Sequence, residues 1–96
     1  MKAEIFEASV WVKETRPDVL MAACEKMLLE SGFKIVEKAV HFFSPQGFTA
    51  VFILAESHLA IHTFPEEGKS YVQLSSCVER YYNKFWGGFF LECVPG

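Results

Sequence analysis

The groups of this chain best suited to chemistry are concentrated in Ala55-Glu56-Ser57-His58-Leu59-Ala60-Ile61-His62-Thr63-Phe64-Pro65-Glu66. Ser57 brings a hydroxyl, His58 and His62 bring imidazoles, and Cys77, fifteen residues beyond His62, brings a thiol. These are nucleophiles and proton carriers. The residues before them, Phe48 to Ala55, are nearly all apolar, as in a buried strand. Reactive polar groups at the end of such a strand cost free energy unless they are paired or used. Taken singly, each has a plain structural reading: Ser57 as a strand-edge serine, His62 as a satisfied histidine, Cys77 as a small core hydrophobe. Their combination points to function. His41 and His58 read as structural, with His58 beside the reactive position, and Cys24 and Cys93 read as core residues.

The elements that must position these groups follow from periodicity. Residues 4–12 read as a strand. Thr15-Arg16-Pro17-Asp18 has the form of a helix start, with Thr15 as the cap and Pro17 in the first turn. Leu20, Ala23, Cys24, Met27 and Leu28 recur at helical spacing, and Gly32 supplies a stop. Strands are expected at 34–43, 48–55, 59–64 and 70–77, separated by Ser44-Pro45-Gln46-Gly47 and Pro65-Glu66-Glu67-Gly68. A short helix over Val78–Trp86, a break at Gly87-Gly88 and a last strand over 89–94 complete the chain. The fold class is α+β: a two-layer sandwich with a mostly antiparallel sheet and its helices on one face.

For a hairpin centred near Glu66-Glu67, paired residues have numbers summing to about 133 or 134. Ser57 then lies opposite Cys77 or next to it. His62, five residues from Ser57, falls on the opposite face of a straight strand, so a bend or bulge near His58 would be needed to bring the two together.

Composition narrows the classes. With 96 residues, 51% of them hydrophobic and 22% charged, the chain suits one ordered domain. A net charge of −3 with no basic run argues against nucleic acid as a partner. No apolar stretch reaches spanning length and the first residues lack a signal-peptide core, so a cytoplasmic, membrane-free protein is expected. Three widely spaced cysteines fit neither a disulfide framework nor a zinc site, and no metal is expected.

The run AESHLAIHTFPE with its downstream Cys resembles the short prokaryotic S-adenosylmethionine decarboxylase proenzymes, whose pattern is close to (S/A)ESHxxIHTWPE followed by Gly and a strand ending in Thr-Cys-Gly. Glu30-Ser31-Gly32 and Val40-His41-Phe42-Phe43 occupy matching places upstream. The resemblance implies that Ser57 attacks the Glu56 carbonyl, that the chain parts into 1–56 and 57–96, and that residue 57 becomes a covalent pyruvoyl cofactor. The pyruvoyl carbonyl forms a Schiff base with the substrate amine and accepts the electrons released when carbon dioxide leaves. His62 matches the residue that moves protons during processing, and Cys77 the acid that reprotonates the substrate carbon. Phe43 and Phe64 match aromatic residues that sandwich adenine, although both also read as core, and Glu66 matches a carboxylate that binds the ribose hydroxyls. A homodimer with its site between subunits is implied, two sandwiches making a four-layer assembly.

The chain departs from the pattern near the substrate. Phe64 stands for Trp, Glu67 for Tyr, Gln73 for Asp, and Ser76-Cys77-Val78 for Thr-Cys-Gly; the region after Cys77 is shorter. Val78 copies that glycine only if the position does not need a positive φ. Relatives that decarboxylate L-ornithine or L-arginine make these a second candidate substrate class, with Glu66-Glu67 facing a terminal cation. A relative that neither cuts itself nor catalyses is the third reading.

Overall fold

Strict alternation builds the sheet. In β5 (Lys69–Ser76), Ser70, Val72, Leu74 and Ser76 are buried while the residues between them are half-buried. β3 (Phe48–Leu54) buries Phe48, Ala50, Phe52 and Leu54 in the same way. Side chains at period two stand on one face of a strand, so β3 and β5 each offer one inward row to a covering layer. The computed structural model describes residues 4–92, with side chains through Phe89. β1 (Phe6–Val12), β2 (Ile35–Phe42) and β4 (Ser57–Phe64) complete a sheet of order β1-β5-β4-β3-β2, antiparallel at every pairing.

The covering layer is a pair of helices, α1 (Pro17–Ser31) and α2 (Glu79–Glu92). Leu20, Cys24, Met27 and Leu28 of α1, with Phe85, Trp86 and Phe89 of α2, join the inward rows of the strands in one core. This is the α+β two-layer sandwich with helices on one face that the periodicity predicts. The far face of the sheet carries no layer among the described residues. Among those residues no helix is long and apolar enough to cross a membrane.

Two expectations are corrected. The break at Gly87-Gly88 and the strand after it do not form. Instead α2 runs through both glycines to Glu92. Each helical glycine costs roughly 0.5–1 kcal/mol, whereas burying a Phe ring gains roughly 1.5–3 kcal/mol. Phe85 and Phe89, one helical turn apart, are both fully buried with their rings stacked at 5.4 Å. Tertiary packing therefore outweighs propensity. Gly88 has a positive use as well, since a Cβ there would lie 3.0 Å from the Met27 sulfur where the two helices touch. Cys93, assigned to the same strand, lies outside the described residues.

The second correction concerns the start of α1. Thr15 does not cap it; the capping position is Arg16, without a side-chain bond. Glu14 organises the entry instead. Its Oε2 accepts the backbone N–H groups of Thr15 (3.1 Å) and Arg16 (3.0 Å), and the Arg16 guanidinium donates to both carboxylate oxygens. The C-terminal stop is as expected: Gly32 adopts φ 108°, and the N–H groups of Gly32 and Phe33 close on Leu29 and Leu28.

The side-chain bond from Arg16 holds the Glu14 carboxyl well below its ordinary range, at about 2. A carboxylate depressed in the folded state stabilises the fold above its unfolded pKa, and that contribution is lost as pH falls toward the folded one. Glu14→Gln is therefore expected to melt below the wild type at neutral pH. The gap should close between about pH 4.5 and pH 2 in thermal melts followed by circular dichroism.

Candidate active site

The sharpest bend next to the reactive segment is the link between β3 and β4. Only Ala55 and Glu56 separate Leu54 from Ser57, and Leu54 pairs with Ser57. Glu56 sits at φ 59°, the one non-glycine residue with positive φ among those described. An L-residue in this region carries strain of roughly 1–3 kcal/mol, and here it adjoins the amide joining Glu56 to Ser57. Val78 does not adopt positive φ, so its replacement of glycine costs nothing on that account.

Ser57 opens β4 opposite Ser76, as the hairpin arithmetic predicts. The Ser57 hydroxyl donates to Ser76 Oγ at 3.3 Å and accepts the Cys77 backbone N–H at 3.4 Å. The Cys77 side chain is exposed, a free thiol just beyond the end of β5. Glu56, Ser57 and Cys77 therefore meet at one end of the sheet.

His62, Phe43, Phe64 and Glu66 meet at the other end. With Gln46, Gly47, Phe48, Thr49 and Thr63 they line a cleft of about 310 Å³. Gln46 Nε2 donates to Glu66 Oε2 at 3.3 Å, tying the two turns that close the cleft. Phe64 packs on Trp11 (ring centroids 5.8 Å), and Phe43, 51% exposed, stands edge-on to His41 at 4.6 Å. The core reading of Phe43 is thereby set aside. His41 is exposed beside this cleft and His58 is exposed beside Ser57.

The two groups do not meet within one chain. The β4 register is unbroken against both neighbours, so no bulge brings His62 round. Ser57 shares the helix-covered face with Leu59 and Ile61, and His62 faces the open side about 17 Å along the strand.

One partner of His62 was not anticipated. Thr49 lies opposite it, and Thr49 Oγ1 is 3.0 Å from His62 Nδ1. The signal was available: a two-residue turn at Ala55-Glu56 makes β3–β4 partners sum to about 111, which pairs 49 with 62. The row continues across the open face as His41, Thr49, His62, Tyr71 and Trp11.

The family model described as S-adenosylmethionine decarboxylase matches residues 8–87. The chain belongs to the S-adenosylmethionine decarboxylase family. Its relatives include the S-adenosylmethionine decarboxylase proenzyme of Moorella thermoacetica, 51% identical over 57% of this chain and 44% of the relative. The proenzyme of Acetivibrio thermocellus is 38% identical over 81% of this chain and 62% of the relative. The chain thus spans only about half to three fifths of the length of these curated relatives. The adenosylmethionine decarboxylase of Aquifex aeolicus has the same fold, with a TM-score of 0.81 at 20% identity over 99% of this chain and 84% of that one. The resemblance read from ESH and its downstream Cys is therefore a family relationship.

Thr49→Val preserves shape and removes the hydroxyl bonded to His62. The ring-nitrogen resonances of His62 are expected to shift in 15N NMR spectra while those of His58, at the far end of the sheet, stay in place. Unchanged His62 resonances would count against the hydrogen bond.

Proposed function

We propose that this chain is a self-processing, pyruvoyl-dependent decarboxylase acting on S-adenosylmethionine. The observation that carries the reading is the setting of one amide. In a chain of this family, the Glu56–Ser57 bond follows a left-handed Glu56, and the Ser57 hydroxyl is held by hydrogen bonds beside it. Attack by Ser57 Oγ on the Glu56 carbonyl carbon replaces the amide with an ester. Elimination across the ester then frees 1–56 with its Glu56 carboxylate and leaves dehydroalanine at 57, whose imine form is hydrolysed with loss of ammonia to a pyruvoyl terminus on 57–96.

The surroundings of residue 57 fit that group, because the Cys77 N–H is a donor held at residue 57, and it is freed for a new acceptor when the Ser57 hydroxyl oxygen departs with the Glu56 carboxyl. When formed, the pyruvoyl carbonyl supplies the electron-withdrawing centre that decarboxylation needs. The Cys77 thiol returns a proton to the substrate carbon. Phe43 and Phe64 offer aromatic faces to adenine, and Glu66 an acceptor for ribose hydroxyls. The phenylalanine rings in the lining of the cleft favour a nucleoside over ornithine or arginine, which have no ring to stack on them.

The site is completed by a second copy of the chain. The uncovered sheet face carries Trp11 (42% exposed) and Ile53 (43% exposed) beside half-buried Val51 and Tyr71, a surface suited to sheet-on-sheet packing. A two-fold axis lying across the strands sets the His62 end of one copy over the Ser57 end of the other. That arrangement removes the separation along the strand, leaving Ser57 to be reached round the end of β4, where it is half-buried, and gives the four-layer homodimer. A soluble cytoplasmic setting accords with it.

Intact mass spectrometry of purified protein is expected to give fragments 1–56 and 57–96, the second carrying a keto group. Only whole chain with an ordinary Ser57 would refute both enzymatic readings. Ser57→Ala should stay whole. Cys77→Ala should cut yet release carbon dioxide from S-adenosylmethionine at least about 100-fold more slowly. Ornithine or arginine turning over faster than S-adenosylmethionine would replace the substrate assignment.

His62→Ala alone is expected to remain uncut, and to be cut when co-expressed with Ser57→Ala, whose His62 is intact. An uncut mixture would refute the shared site.

A further inference from the structure

We propose that Ser76 is a positioning residue for self-cleavage, its hydroxyl turning the Ser57 proton away from the Glu56 carbonyl. The inference deepens the self-processing reading above and rests on it. Ser76 ends β5 with its side chain on the helix-covered face, 1% exposed, in the same row as the apolar Val72 and Leu74. A buried hydroxyl in such a row is destabilising unless every valence finds a partner.

Each valence is assigned. A serine hydroxyl has one hydrogen and two lone pairs. The Val78 N–H donates to Ser76 Oγ at 2.9 Å, and Ser76 Oγ donates to the Val78 carbonyl at 3.2 Å. One lone pair remains, and it faces Ser57 Oγ at 3.3 Å. Ser57 must therefore donate to Ser76 and cannot accept from it. The Cys77 N–H takes one lone pair of Ser57 Oγ at 3.4 Å, leaving the other for the Glu56 carbonyl carbon.

Successive backbone N–H groups, Cys77 and Val78, thus hold a pair of hydroxyls in one orientation. The step itself needs no co-reactant. The bond from Ser57 Oγ to the Glu56 carbonyl carbon forms, the bond from that carbon to the residue-57 nitrogen breaks, and the hydroxyl proton ends on the nitrogen. Ser76 takes no part in bond making. It fixes which way the nucleophile points before attack, a form of preorganisation.

Threonine and valine at position 76 have the same shape and differ by the hydroxyl. Wild-type, Ser76→Thr and Ser76→Val chains are made by cell-free translation in hydroxylamine, so that none is cut beforehand; hydroxylamine captures the ester as a Glu56 hydroxamate and so reports the first step alone. Melting temperatures are compared in the uncut Ser57→Ala background. Thr is expected to yield hydroxamate at least about 10-fold faster than Val, with Thr within about threefold of wild type. Equal rates for Thr and Val would overturn the inference while leaving self-processing in place. A rate difference fully matched by loss of the folded state of the Val chain would overturn it too. Wild-type chain that never forms hydroxamate would overturn the self-processing reading, and this one with it.

Discussion

The two-residue link between β3 and β4 governs the rest of the molecule. A turn that short allows one register, and a slip of one residue would send every side chain of β4 to the other face. Because Leu54 meets Ser57, Phe52 meets Leu59 and Ala50 meets Ile61, which builds the inward row. The same register sets Thr49 against His62 on the outer face. Core, histidine and serine are fixed by one turn, and Glu56 carries its backbone strain. Glycine would occupy that position more easily, yet the chain has a carboxylate residue there.

Much of this was legible in residue types. Runs of β-forming and apolar residues bounded by turn signals located every strand of the sheet to within a residue or two, and the arithmetic of the β4–β5 hairpin put Ser57 opposite or next to Cys77. The stretch after Cys77 was not legible, because Gly87-Gly88 is a break signal by local propensity. Helix α2 continues only because Phe85 and Phe89 find the face of the sheet, a partner distant in sequence. Capping by Thr15 failed because the Glu14 carboxylate takes the Thr15 and Arg16 N–H groups and the cap position falls on Arg16; a charged acceptor is a stronger partner than a hydroxyl.

In the proposed dimer a single chain is no longer a sufficient unit for describing the site. The motif groups Ser57 and His62 within six residues, which suggests proximity. A straight strand separates them by face and by length, and the observed strand is straight. A sequence motif can be compact while the site it describes is spread over two copies of the protein. The exposed aromatic residues on the open face fit that picture: Trp11, 42% exposed, has its ring contacts with Phe64, Tyr71 and the Lys69 ammonium at 4.4 Å.

The strand order carries a topological consequence. Residues before the Glu56–Ser57 amide supply β1, β2 and β3, and residues after it supply β4, β5 and α2. In space β4 and β5 are wedged between β1 on one flank and β3 on the other. Severing the backbone at that point would leave two polypeptides clasped along two full antiparallel seams and a shared core. Neither piece could leave without unzipping the sheet twice. The proposed cut would thus open the molecule covalently without its coming apart.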